Sequence, residues 1–425
     1  MGIGYDSFLV NVVKNEVVHA DQPWTHHWLP FTNFDLLVPP LDVGSIFFYK
    51  KPSHGVSFSA IVDTLKASLS RTLTLYPPMA GVIAWNEDAG ENQIHCNNGG
   101  VCFIEAVADA ELKELNFYNP DECVEGKLMP KKLVHGVLVI QVTKLKCDGI
   151  VIGVMVDHRL VDGYSANMFI SSWADMTRTK TSSMIPSFGR SYMKPRSPTI
   201  HSPLIENVFV PFSPPFNLDK NPMIRKYDEY QIVNRVYYIE GEQLKMLQLL
   251  ANENGCRRSK LVAFTSFLWK AIASSMGNFR KDNKACNVVI AVDGRTRLSH
   301  KDGEEKQKLM VSHFGNVLSM PLGSKKPEPR PLISKSLVDG NMSFTVSAGQ
   351  RFETMDAINF GWGKVTFGSC HVPSERSDCF IMTMGSPKNN EDWVVYMHMP
   401  IKHMSFIEAH ANHVFKPLNA DYIHI

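Results

Sequence analysis

Ile150-Val151-Ile152-Gly153-Val154-Met155-Val156 runs directly into Asp157-His158-Arg159-Leu160-Val161-Asp162-Gly163, and the reading of this stretch decides the fold. An almost wholly apolar run of this length, bounded by polar residues, predicts a strand buried on both faces. Behind it, Phe169, Trp173 and Met176 recur at spacings of four and three, which predicts a helix from Tyr164 to Met176 with one buried stripe. His158 therefore stands where a buried strand delivers its end to a helix. Such an end is stiff, so a side chain on it can be aimed. An imidazole, with an unperturbed pKa of about 6.5, can take a proton there near neutrality. His-x-x-x-Asp alone is a weak pattern in a chain with 16 histidines, since a surface salt bridge or a satisfied core histidine produces it as well. Its setting, with Gly163 behind Asp162, a core strand in front and a distant partner in Asn359-Phe-Gly-Trp-Gly363, changes the odds.

Working outward, Ser7 to Val13 and Ser45 to Tyr49 read as strands, and Ser57 to Leu73 as a helix. Phe58, Ile61, Leu65, Leu69 and Leu73 share one face of that helix behind a Ser57 N-cap. Tyr76-Pro77-Pro78 ends it. Val82 to Trp85, Gln93 to Cys96, Val101 to Glu105 and Val134 to Thr143 supply further strands, with Asn97-Asn-Gly-Gly100 as a turn. From Pro186 to Pro222, 37 residues hold eight of the chain's 25 prolines and little periodicity. This predicts a linker over 186–225 between two halves, 1–185 and 226–425.

The second half starts with a strand at Tyr230 to Tyr238, a helix at Glu242 to Ala251 and a second helix at Ser259 to Ala273. Free amides at a helix start, Ser259 and the cations Arg257, Arg258 and Lys260 suit a phosphate, although a basic solvated helix start reads the same way. Asn287 to Arg297 predicts another buried strand ending in charge. Arg295 and Arg297 need a partner if they enter a core, and Asp162 is the expected one, with Arg295 preferred over Arg297. Further on come His313-Phe-Gly-Asn316, a strand at Met342 to Ala348, a glycine-flanked tryptophan in Asn359-Phe-Gly-Trp-Gly363, a strand at Glu391 to His398 and a helix at Met404 to His413.

A chain of 425 residues is too long for one ordinary core. Lysine and arginine number 44 against 42 acidic residues with no long basic tract, which argues against nucleic acid as a partner. No apolar run approaches the roughly 20 residues of a membrane span. Eight cysteines lack paired spacing and no secretory pattern opens the chain, so free thiols in the cytoplasm are expected. His26 and His27 lack a third ligand at useful spacing, and no metal is expected. No Gly-x-Ser-x-Gly nucleophile elbow occurs.

His158-x-x-x-Asp162-Gly163 together with Asn359-Phe-Gly-Trp-Gly363, in this order and at these distances from the ends, resembles the BAHD acyl-CoA-dependent acyltransferases of plants. The likeness runs over nearly the whole chain. Leu65 to Leu73 with Tyr76-Pro-Pro-Met-Ala-Gly81, His135 to Thr143, Tyr164 to Phe169, Arg258-Ser-Lys-Leu261, Leu268-Trp-Lys270 and Asp392 to His398 carry it further, and look most like the coniferyl alcohol acyltransferase branch. The family's loop usually begins with Asp where this chain has Asn359, as that branch does.

The resemblance implies an α/β fold of two chloramphenicol-acetyltransferase-like halves, each a mixed sheet flanked by helices, joined by a long crossover loop. It implies a monomer without a resident cofactor, using acyl-CoA, here acetyl-CoA, as co-substrate. The acceptor would be a small-molecule alcohol such as coniferyl alcohol. His158 would be the general base, with Gly163 beside it in the motif. Asp162 could orient His158 as in a dyad, or pair with Arg295 to hold the loop, which is the role the resemblance implies. Arg258, Ser259, Lys260, Asp293, Trp362 and Gly363 are the expected coenzyme contacts, and Asn359 a structural loop position. Hydroxycinnamoyl transfer to shikimate, quinate or an amine keeps the chemistry and changes the substrates; Arg351 would then read an acidic acceptor such as shikimate, although an ordinary strand-end arginine reads the same way. Asn316 and Asn359 are 43 positions apart, fewer than expected between the corresponding motifs, and a chain shortened near Lys325 to Asp339 could instead be an impaired, acyltransferase-like protein.

Overall fold

The structure, a computed structural model, describes residues 8–22, 24–38, 40–52, 55–133, 135–190, 209–211, 231–253, 255–277, 285–295, 312–316, 332–334, 342–349, 357–373 and 379–425. Most of the linker, Arg297, Arg351 and most of the segment between Asn316 and Asn359 lie outside these residues.

Two six-stranded mixed sheets carry the chain. In chain order, the first sheet is made by β1 (Val10–Val18), β3 (Asp42–Tyr49), β6 (Val101–Ala108), β7 (Leu138–Lys144), β8 (Ile150–Asp157) and β14 (Phe367–His371), arranged β1-β6-β7-β8-β3-β14. β6 and β7 are parallel and the other neighbours antiparallel. All eight residues of β8 are buried. Because side chains alternate across a strand, its Ile and Val residues feed two cores at once. Ile150, Ile152, Val154 and Val156 meet the helices α2 (Phe58–Leu75) and α4 (Gly163–Thr179) on one face. Val151 and Met155 face the other sheet. Ser57 caps α2, its hydroxyl accepting from Ala60 N–H at 3.2 Å. Trp173 locks α4 onto α2 by donating its indole N–H to Leu65 O at 3.1 Å.

The second sheet has the order β11-β13-β15-β16-β10-β17, from β10 (Ile232–Ile239), β11 (Cys286–Ala291), β13 (Met342–Ala348), β15 (Cys379–Gly385), β16 (Trp393–Pro400) and β17 (Lys416–Pro417). α5 (Gly241–Ala251), α6 (Lys260–Ser275) and α7 (Ile401–His410) cover its outer face through Leu244, Phe264, Leu268, Ile272, Met404 and Ile407. Its inner face gives Val236, Tyr238, Val394 and Tyr396 to the core it shares with Phe48, Val139 and Val151 of the first sheet. The layers are therefore helices, sheet, sheet, helices, the α/β architecture of two flanked mixed sheets that the resemblance implies. A small sheet of β2 (His27–Pro30), β4 (Val82–Asn86) and β5 (Glu91–Cys96) and a pair of β9 (Phe209–Pro211) with β12 (Leu332–Ser334) complete the described strands.

Two departures from the expected elements bear on the site. Asn287 to Arg297 is not a long buried strand: β11 stops at Ala291 and is the outermost strand of its sheet, with Val289 and Ile290 each 38% exposed. An apolar run reports strand character but not whether a neighbour covers it. β14 and β15 were not expected at all. β14 comes from the second half yet completes the first sheet, Phe367 pairing with Phe48 and His371 with Gly44.

Candidate active site

β8 ends at Asp157, and the chain turns at once. Leu160 N–H reaches Asp157 O at 3.0 Å, and His158 N–H is held by Leu41 O at 2.9 Å. The Asp157 carboxylate takes Arg159 through its backbone N–H at 3.0 Å and its guanidinium at 3.0 and 2.6 Å. His158 is left half-buried, with Nδ1 2.7 Å from Val161 O. A carbonyl only accepts, so Nδ1 carries a proton, and in the neutral imidazole Nε2 then holds the lone pair. Among the described residues nothing is bonded to Nε2. The ring is thereby fixed in place with one nitrogen left open.

Asp162 is bonded elsewhere. It is the N-cap of α4, its Oδ1 accepting from Ser165 N–H at 2.8 Å. Both its oxygens also receive Arg295, Nη1 to Oδ2 at 2.7 Å and Nη2 to Oδ1 at 3.0 Å, a bidentate pair. The nitrogen of His158 that an orienting carboxylate would take is already given to Val161 O. Gly163 is the first residue of α4.

Arg295 is 1% exposed and every side of its guanidinium is engaged. Nε donates to His313 O at 3.2 Å, Nη1 also to Asp293 Oδ1 at 2.9 Å, and Nη2 also to Ser165 Oγ and Gly315 O, both at 2.9 Å. The ring of Tyr164 lies 4.5 Å beneath it. Asp293, expected among the coenzyme contacts, is thus committed to Arg295 through Oδ1. The sequence raised Arg295 because a core arginine cannot stay unpaired. It assigned no role to Asp35, Arg190, Ser165 or Asn316, which meet beneath the same loop from distant parts of the chain.

His313, part of this cluster, is buried, and its pKa is lowered to about 4 by burial first and then by Arg190 and Arg295. His403, whose Nδ1 meets Ser275 Oγ at 2.5 Å, is lowered to about 4 by burial and Lys402. Both are neutral in the fold at pH 7, while in the unfolded chain a histidine takes its proton near pH 6.5. Their stabilisation is full above about pH 6.5 and is lost as pH falls toward 4. Thermal unfolding followed from pH 7 to pH 5 is expected to show a loss of roughly 2 kcal/mol per histidine at pH 5. His313→Gln should flatten part of that slope, and an unchanged slope would contradict the assignment.

The Asn359–Gly363 loop docks on the outer face of the first sheet, in the same core as Ile150 and Val154. Asn359 Oδ1 accepts from Gly361 N–H at 2.8 Å, and Gly361 sits at φ +106°, a conformation that suits glycine. Phe360 and Trp362 stack at 5.4 Å, and Phe360 meets Trp173 edge-on at 4.8 Å. Tyr49 Oη donates to Ile358 O at 3.1 Å. Gly363 closes the loop, exposed. At the start of α6, Ser259 is the N-cap, its hydroxyl accepting from Val262 N–H at 3.3 Å. Arg258 is exposed, its backbone tied to Asn252 and Gln248, and Lys260 begins the helix. Among the described residues, no hydrogen bond or ion pair joins either Asn359–Gly363 or Arg258–Lys260 to His158.

The profile of the Transferase family matches residues 8–339 and 326–414, nearly all of the chain. The chain belongs to this family, the BAHD acyltransferases. It is similar to the shikimate O-hydroxycinnamoyltransferase of Nicotiana tabacum, 25% identical over an alignment that covers 92% of this chain and 95% of the relative. A hydroxycinnamoyltransferase of Narcissus pseudonarcissus is 29% identical over 320 residues, 73% of this chain and 69% of the relative. Among solved structures the BAHD fold recurs in vinorine synthase, with a TM-score of 0.68, 19% identity and coverage of 96% and 99%. It recurs also in F. graminearum TRI101 complexed with coenzyme A and T-2 mycotoxin, with a TM-score of 0.62, 12% identity and coverage of 90% and 97%. As a BAHD acyltransferase the chain is an enzyme that uses acyl-CoA and a small-molecule acceptor. Among the described residues no helix is long and apolar enough to cross a membrane.

Proposed function

We propose that this chain transfers an acyl group directly from coenzyme A to a hydroxyl, with His158 as general base. The observation that carries this is the bond from Nδ1 to Val161 O, which leaves the lone pair of Nε2 for the acceptor's proton. The acceptor oxygen attacks the thioester carbonyl as its proton passes to Nε2. When the tetrahedral intermediate collapses, the carbon–sulfur bond breaks and the thiolate takes the proton back, so the imidazole ends neutral. No covalent acyl-enzyme is needed. Asp162 and Arg295 hold the loop, and the Asn359–Gly363 loop holds its shape, since an amide does not titrate usefully. Arg258, Ser259 and Lys260 offer cations and a helix start to the phosphates of coenzyme A.

Acetyl-CoA and a phenylpropenyl alcohol such as coniferyl alcohol are the substrates this reading favours, from the branch the motifs resemble. A hydroxycinnamoyl donor is the second reading, favoured by the similarity to hydroxycinnamoyltransferases at 25% and 29% identity. A panel of acetyl-, p-coumaroyl- and caffeoyl-CoA against coniferyl alcohol, shikimate and quinate, scored by product mass, decides between them. Acetylated coniferyl alcohol as the dominant product is expected. A dominant hydroxycinnamoyl ester transfers the assignment to the second reading, and no product from any pair sinks both.

A further inference from the structure

The ring of His158 is fixed at Nδ1, but its aim depends equally on the backbone that carries it. One side chain donates to two successive carbonyls of that backbone: Asn316 Nδ2 lies 3.0 Å from both His158 O and Arg159 O. Asn316 is 1% exposed and is itself held, its backbone N–H and Nδ2 each 3.2 Å from Asp35 Oδ1. Asp35 is fully buried at the start of α1 (Asn33–Leu37). Its Oδ2 accepts from Thr32 N–H at 2.7 Å, from Thr32 Oγ1 at 2.9 Å and from the guanidinium of Arg190.

We infer that Asp35 and Asn316 are a positioning pair for the base, the carboxylate orienting the amide and the amide fixing the strand end that aims His158. This rests on the reading of His158 given above. Every group facing the two oxygens of Asp35 is a donor, so an acceptor-only side chain is required; an amide there would turn N–H groups against N–H groups. A buried ion pair adds little stability compared with well-packed apolar residues. What Asp35 and Arg190 contribute is therefore direction, and the direction runs through Asn316 to the carbonyl of the base.

Asn316→Ala cuts the link while leaving Asp35 with Thr32 and Arg190, and Asp35→Asn tests the same link from the other side. In each, kcat is expected to fall at least about tenfold, since misplacement of a catalytic group by about an ångström is that costly. KM for acyl-CoA should stay within about twofold, and the acid limb of the kcat–pH profile should move, which a loss of stability alone would not cause. A second readout needs no substrate: the rate at which diethyl pyrocarbonate modifies His158, read by peptide mass, should change at least about threefold in Asn316→Ala. Wild-type kcat, an unmoved pH profile and an unchanged modification rate in folded Asn316→Ala would overturn the pairing. Wild-type protein that turns over no donor–acceptor pair would instead sink the reading of His158, and the modification rate would still test the pair.

Discussion

His158→Ala is expected to lower kcat/KM by about 10²- to 10⁴-fold, the contribution of one well-placed general base. Its effect on stability should be small, because the ring is half-buried and its one described bond, to Val161 O, is worth about 1 kcal/mol net. The two effects can therefore be separated. Release of free thiol from acyl-CoA, measured with and without acceptor, reports the chemistry, and urea unfolding of the same preparation reports the fold. Acceptor-dependent release that survives in His158→Ala within a factor of about three would remove His158 from the mechanism, whatever the unfolding midpoint does. Loss of release with a large shift in that midpoint would equally fail to support a base, since it would place the histidine among the structural residues.

Much of this site could be seen in the sequence for a physical reason: the signals were local. The β8 run and the periodic stripes of α2 and α4 announce themselves within a dozen residues, and His158 follows from its place at their junction. Arg295 was reachable through charge, because a buried guanidinium demands a carboxylate and Asp162 stood at the other motif. The pairing of Asp35 with Asn316 was not reachable. The two lie 281 positions apart, Arg190 lies 155 from Asp35, and each is an ordinary polar residue until the fold brings them together. β14 failed for another reason. Phe-Gly-Ser-Cys-His has little strand character of its own, and it is extended because β3 offers it an edge. β15, Cys-Phe-Ile-Met-Thr-Met-Gly, did carry an apolar run between turn residues and was open to being found. The burial of β11 was misjudged because position within a sheet is a property of the topology, which a single strand does not encode.

The ion pair between Asp162 and Arg295 yields the second large effect, and it separates the two roles open to the aspartate. Asp162→Ala leaves a guanidinium that is 1% exposed without its main partner, and breaking a buried pair on one side costs about 3–5 kcal/mol. Asp293, 43% exposed, neutralises Arg295 only in part. The mutation also removes the N-cap of α4, worth about 1 kcal/mol. In an Arg295→Met background the charge is already gone, so adding Asp162→Ala should cost little beyond that cap. Urea unfolding of the four proteins of this cycle measures the difference as a coupling of roughly 2 kcal/mol or more. Equal costs in both backgrounds would mean that the carboxylate and the guanidinium do not act as a pair. Asp162→Asn completes the argument, because asparagine caps a helix as well as aspartate does. If the aspartate oriented the imidazole, this variant would lose kcat while keeping its cap. With Nδ1 given to Val161 O, kcat of the folded variant should instead stay within about tenfold of wild type while the unfolding midpoint falls.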